Sequence, residues 1–198
     1  VLLSVEEVAM KGRHNIGNAL AALALGHAAG LPIVSMLETL RTFKGLPHRC
    51  EAIATIDNVS YINDSKGTNI GATLAAIEGF GSDSYKNLLL IAGGQGKGQD
   101  FDGLKEAADS FVKCGFLYGE DAQQLEDALH SVTKVYRADS LVEAVAVAKS
   151  AARPGDIVLL SPACASFDSF TGFEERGHCF SQAVLSPVKT GSREGMTS

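Results

Sequence analysis

The sequence offers no cysteine framework: Cys50, Cys114, Cys164 and Cys179 stand far apart, with no Cys-x-x-Cys pair. That spacing argues against a zinc site and against a disulfide scaffold, and free thiols in a reducing cytosol are the expectation. A basic block is missing as well. Lysine and arginine number 17 against 23 acidic residues, a net charge of −6, which argues against a nucleic-acid protein. No apolar run approaches the roughly 20 residues of a membrane span, and no basic-then-apolar leader opens the chain. A soluble cytoplasmic protein, with neither nucleic acid nor membrane as partner, is therefore expected; a monomer is the further expectation, though nothing in the composition bears on it. His27, His130 and His178 fall on predicted helices with no neighbour at metal-ligand spacing, so packing or exposure is expected of them and no metal ligand is assigned. The Walker pattern Gly-x-x-x-x-Gly-Lys-Ser/Thr is absent too, so this sequence brings no P-loop to a nucleotide.

The 198 residues are 45% hydrophobic, ample for a packed core, and suit one large domain or one domain with part of another. The first residue is Val1 rather than Met, and a helical pattern starts almost at once, so a carboxy-terminal portion of something longer is expected. Alanine- and leucine-rich residues from Ile16 to Ala29, stopped by Gly30 and Pro32, predict a helix, and Ile33 to Phe43 a second. Gly45-Leu46-Pro47-His48-Arg49 punctuates the chain and marks the boundary between residues 1–44 and 45–185. Alternation on either side of Asp57-Asn58 predicts a β-hairpin. Thereafter apolar strands alternate with helices up to a last helix near Gly172 to Val184. This order predicts an α/β fold with a Rossmann-like, doubly wound, mainly parallel sheet. Ser140 with Glu143 reads as a capping box on the helix before Pro154-Gly155. The polar composition of 186–198 predicts a disordered tail.

Three turns stand where such a sheet can hold a ligand. Asp64-Ser65-Lys66-Gly67-Thr68-Asn69 follows the hairpin and opens a helix; it is either a well-capped helix start or an anion-binding turn. Leu88 to Ala92 empties into Gly93-Gly94-Gln95-Gly96-Lys97-Gly98-Gln99, where glycines let backbone donors approach an anion. A dinucleotide fingerprint would need a third glycine at Gln99; the acidic pair Glu120-Asp121 further on leaves that reading weakened rather than excluded. Ile157 to Leu160 breaks into Ser161-Pro162-Ala163-Cys164-Ala165-Ser166, a plain connection or a ligand turn. In a parallel sheet the turns after Ala92 and Leu160 share the carboxyl edge, so Lys97 and Ser166 are expected to face one ligand. Asn15 and Asn18 read locally as helix-start residues, and Arg49 as an exposed linker arginine.

The run Leu159 to Asp168, with Phe170, Phe173, Glu174, Arg176 and Gly177 at their spacings, resembles the carboxy-terminal signature of the ATP-dependent Mur ligases of peptidoglycan synthesis, in their D-glutamate-adding branch. Gly12 to Asn18, Gly45 to Arg49 and Asp64 to Asn69 are similar to further motifs of that family, and the likeness covers about Gly12 to Val184. It implies a ligase that phosphorylates the carboxylate of UDP-N-acetylmuramoyl-L-alanine with ATP and Mg²⁺, then lets the amine of D-glutamate attack the acyl phosphate. By resemblance, Lys97 and Thr68 would hold one carboxylate of D-glutamate, Ser166 and Phe167 the other beside Phe173, with Lys66 adding positive charge. Asn15 and Asn18 would lie at the adenine, Asp64 at the ribose and Arg49 at the phosphates, with His48 also among the ATP-binding residues. Residues 1–44 would be the helical remnant of a central ATP-binding domain. The P-loop and most Mg²⁺ ligands would lie upstream of Val1, so no catalytic residue is assigned here and this chain alone is not expected to turn over. A folylpolyglutamate-type ligase shares the architecture but suits the Ser161 to Ser166 run less well, and a non-catalytic Rossmann-like module binding an anion or a partner is the reading from another class.

Overall fold

The computed structural model describes residues 2–187. The expectation for the tail therefore falls, from 188 onward, outside the described residues. The elements are α1 (Arg13–Ala28), α2 (Ile33–Thr42), β1 (Glu51–Ile56), β2 (Val59–Asn63), α3 (Ile70–Phe80), β3 (Leu88–Gly93), α4 (Lys105–Phe111), β4 (Val112–Tyr118), α5 (Ala122–Leu129), β5 (Lys134–Arg137), α6 (Leu141–Ala151), β6 (Ile157–Leu160) and α7 (Phe173–Leu185). Helix α1 starts three residues before the expected Ile16, because Gly12 at φ 94 turns the chain into it.

Six strands form one sheet in the order β1-β2-β6-β3-β4-β5. Only the hairpin pair β1 and β2 is antiparallel; the other pairings are parallel. The hairpin turn is tight because Asp57 and Asn58 both take positive φ, 51° and 60°, which these two residue types tolerate. Strand β3 shows why the sheet sits at the centre. Leu88, Leu90 and Ala92 face α3, α4 and α5, while Leu89 and Ile91 face α6 and α7, and all five are wholly buried. A strand buried on both faces needs an unbroken apolar run, and the sequence supplies it.

Strands β3 and β6 are neighbours, yet the chain leaving β3 passes to the face covered by α4 and the chain leaving β6 to the face covered by α7. Connections that part to opposite faces leave a crevice at the carboxyl edge, the usual ligand position in an open α/β sheet. The helical hairpin α1–α2 meets this body through α3: the His14 ring packs edge-on to Phe80, with centroids 5.9 Å apart. One capping detail differs from expectation. Ser140 Oγ accepts the Glu143 N–H as foreseen, but the Glu143 carboxylate accepts from the Asp139 N–H, not from Ser140, because it reaches one residue further back.

Candidate functional site

Two features of the structure collect residues named from the sequence. The first is a cleft of roughly 200 Å³ between α1, the linker, and the turn after β2, lined by Asn15, Asn18, Arg49, Asp64 and Lys66 together with His14. Because α1 begins at Arg13, Asn15 and Asn18 stand one turn apart on the same helix face. The Asn15 amide donates to Lys11 O at 2.6 Å and the Asn18 amide to Asn15 Oδ1 at 3.1 Å, which fixes both side chains at the rim.

His48 is where the structure departs from expectation. Its ring is buried and turned away from the cleft: Nδ1 lies 3.1 Å from the Asn63 amide, and the ring stands 4.8 Å from that of His178. A β-carbon at Gly177 would overlap the same imidazole, so α7 leaves a glycine-sized recess for it. The reason is local geometry. His48 and Cys50 both take left-handed backbone, φ 61° and 49°, and the bend sends alternate side chains inward and outward, leaving the exposed Arg49 as the linker residue that faces the cleft. Burial also holds the His48 imidazole below its usual pKa, so it packs as a neutral ring.

Asp64 forms the floor of the cleft. Its Oδ2 accepts from Ser161 Oγ at 2.8 Å and its Oδ1 from the Cys50 N–H at 3.2 Å, and Ser161 Oγ in turn lies 3.1 Å from Thr73 Oγ1. Burial raises the Asp64 pKa to about 6, against the lowering pull of those donors. Because the folded-state value lies above the unfolded one, the folded chain binds the proton more tightly. The associated stability is full below about pH 4 and is lost as pH rises through about 6, by on the order of 3 kcal/mol. The difference in urea midpoint between wild type and Asp64→Asn is therefore expected to change across this window; a constant difference would remove Asp64 as the source.

The second feature is the crevice between β3 and β6. Gln95 and Ala165 exchange backbone hydrogen bonds, 3.0 Å and 2.9 Å, and the Gly93 N–H donates to Pro162 O at 3.0 Å, so the glycine loop and the Ser161–Ser166 loop are laced together at one edge. The Gln99 amide donates to Ala163 O at 3.0 Å, and the Ala163 N–H to Gly67 O at 2.9 Å, which brings the turn carrying Thr68 into the same assembly. Lys97 is exposed, with Nζ 5.7 Å from the centre of the Phe167 ring, itself 64% exposed. Ser166 is buried at the base of that loop. Lys66 Nζ sits 4.0 Å over the Phe173 ring, so this lysine stands between the cleft and the crevice. The structure thus brings Asn15, Asn18, Arg49, Asp64 and Lys66 to one cleft, joins the loops of Lys97, Ser166, Phe167 and Thr68, and excludes the His48 ring.

Three contributors named from the sequence are given no individual role there. Asp121 Oδ2 accepts the Gly96 N–H at 2.6 Å, so this acid, in the turn between β4 and α5, braces the glycine loop. Ser161 holds Asp64. Arg176 lies wholly buried among the loops. A signal for the last was present: Phe173, Arg176 and Phe180 are spaced three and four apart, which puts the arginine on the apolar stripe of its helix.

The family described as "Mur ligase, glutamate ligase domain" matches residues 48–164. The UDP-N-acetylmuramoylalanine–D-glutamate ligase of Acinetobacter baylyi is 54% identical over 186 residues, 92% of this chain and 42% of its own length. The ligases of the same name from Pseudomonas fluorescens and Legionella pneumophila are 52% and 54% identical, each over 92% of this chain and 41% of their own lengths. The chain thus spans about two fifths of the length of the curated relatives it matches. Among solved structures, MurF ligase from Thermotoga maritima in complex with ADP aligns with TM-score 0.63 at 15% identity, over 88% of this chain and 39% of that one. Folylpolyglutamate synthase from Mycobacterium tuberculosis, complexed with ADP, aligns with TM-score 0.63 at 17% identity, over 90% and 42%. At such identities these structures establish the shared fold alone.

Proposed function

We propose, because this chain belongs to the Mur ligase family through its glutamate ligase domain, that it is the amino-acid-binding part of a longer, cytoplasmic, ATP-dependent ligase adding D-glutamate to UDP-N-acetylmuramoyl-L-alanine. The observation that carries the reading is the lacing of the Lys97 loop to the Ser166 loop at one sheet edge, beside a cleft lined by Asn15, Asn18, Arg49 and Asp64. Identities of 52–54% to D-glutamate ligases favour this substrate over the folate-type alternative, to which the fold alone is common.

In this reading the division into 1–44 and 45–185 separates a nucleotide-facing helical hairpin from the amino-acid-binding sheet. The donor set suits a nucleotide: amides at the rim for a base, a buried carboxylate for ribose hydroxyls, and a forked cation for phosphate oxygens. ATP would supply the phosphoryl group that turns the muramyl carboxylate into an acyl phosphate, a mixed anhydride from which phosphate can leave, with ADP released. Mg²⁺ belongs to the proposal for the complete ligase, and none of the residues assigned here is its ligand. Lys97 with Thr68 holds one carboxylate of D-glutamate, and Ser166 with Phe167 the other beside Phe173. Two fixed points leave the neutral amine free to attack the acyl carbon, so that the new amide bond forms as phosphate departs and the amine loses a proton.

The test is ADP release by the full-length protein. Release is expected to require both UDP-N-acetylmuramoyl-L-alanine and D-glutamate. Equal release with lysine, meso-diaminopimelate or L-glutamate in place of D-glutamate would refute the substrate, and none under any pairing would favour the binding-module reading.

A further inference from the structure

Arg176, on the first turn and a half of α7, is completely buried, and its guanidinium bonds to three separate loops. Nε donates to Ser65 Oγ at 3.0 Å and Nη2 to Ser65 O at 2.9 Å. Nη1 donates to Cys164 O at 3.1 Å and, less closely, to Gly93 O at 3.4 Å. Every one of these acceptors is neutral. Burying a cation without a carboxylate partner is costly, so filling the space is a poor reason for its presence. What a guanidinium does that no other side chain can is to span several acceptors at once with a planar, always-charged fork.

The loops it spans are those to which the proposed function assigns substrate contacts. Ser65 separates Asp64 from Lys66, Gly93 opens the glycine loop that ends at Lys97, and Cys164 lies two residues before Ser166. Ser65 Oγ also donates to Phe173 O at 2.8 Å, which ties the start of α7 to the same cluster. We infer that Arg176 is a positioning residue, setting the spacing of the three loops at the carboxyl edge and thereby the grip on the incoming amino acid. This inference rests on the D-glutamate ligase reading for its kinetic consequence, and on the hydrogen bonds alone for its structural one.

The experiment uses the full-length ligase carrying Arg176→Lys, Arg176→Met or Ser65→Ala, with KM for D-glutamate and for ATP measured separately. Arg176→Lys keeps the charge and loses the fork. It is expected to raise the D-glutamate KM about tenfold or more while the ATP KM stays within about threefold. Ser65→Ala should shift the D-glutamate KM in the same direction by less, and decides the matter if either Arg176 variant fails to fold. A folded Arg176→Lys enzyme with an unchanged D-glutamate KM, or with both constants raised together, would overturn the inference. If the wild-type protein ignores D-glutamate, it is the functional reading that fails. Amide exchange then decides the positioning role: faster exchange at Gly94 and Ala165 in Arg176→Lys supports it, and unchanged exchange refutes it.

Discussion

Lys97→Ala in the full-length ligase is expected to raise the KM for D-glutamate about a hundredfold, equivalent to about 2.7 kcal/mol, while the KM for ATP changes little. Lys97 is exposed at the tip of the glycine loop, and its own backbone, at φ 57°, turns the side chain out of the strand line towards Phe167. A charge-assisted hydrogen bond to a substrate carboxylate is among the stronger single contacts available, and truncation to alanine leaves that carboxylate without its cation. Since Lys97 does not line the cleft of Asn15, Arg49 and Asp64, the nucleotide should hardly register its loss. A larger effect on ATP than on D-glutamate would contradict the assignment of this loop.

Gly93→Ala is expected to cost about 4 kcal/mol or more, lowering Tm by more than about 8 °C. Gly93 closes β3 at φ 137°, a conformation closed to residues with a β-carbon, and an added methyl would overlap the Tyr118 carbonyl of the neighbouring strand. That carbonyl accepts from Gly94, so it is not free to retreat. Differential scanning calorimetry gives the shift directly; a change of only a degree or two would mean that the loop after β3 is held far less tightly than the hydrogen bonds between its neighbours imply.

The architecture was readable because its signals are local. Leu88 to Ala92 and Ile157 to Leu160 are short, unbroken apolar runs that fit strands buried on both faces, and the helices between them imply parallel crossovers. Once those strands are parallel, the loops after Ala92 and Leu160 must share an edge, and the exchanged bonds of Gln95 and Ala165 follow that topology. What one sequence could not disclose are contacts made across long separations by residues of unexceptional type. His48 illustrates the limit: its neighbour Arg49 faces the cleft, but two left-handed residues reverse the direction of the ring, and nothing in the run Gly45 to Arg49 announces them. Ser161 stands in a turn of undecided role and Asp121 in an acidic pair read for another fold, until the structure sets one on Asp64 and the other on Gly96. Arg176 had a visible phase on its helix, yet only the folded arrangement shows which carbonyls it meets.

The most direct measurement is a crystal structure of the full-length ligase bound to UDP-N-acetylmuramoyl-L-alanyl-D-glutamate. One carboxylate of the terminal glutamyl group is expected against Lys97 and Thr68 and the other against Ser166 and Phe167, at the edge where Gln95 and Ala165 join the two loops. A glutamyl group seated at the opposite edge of the sheet, or touching only one of these loops, would contradict it.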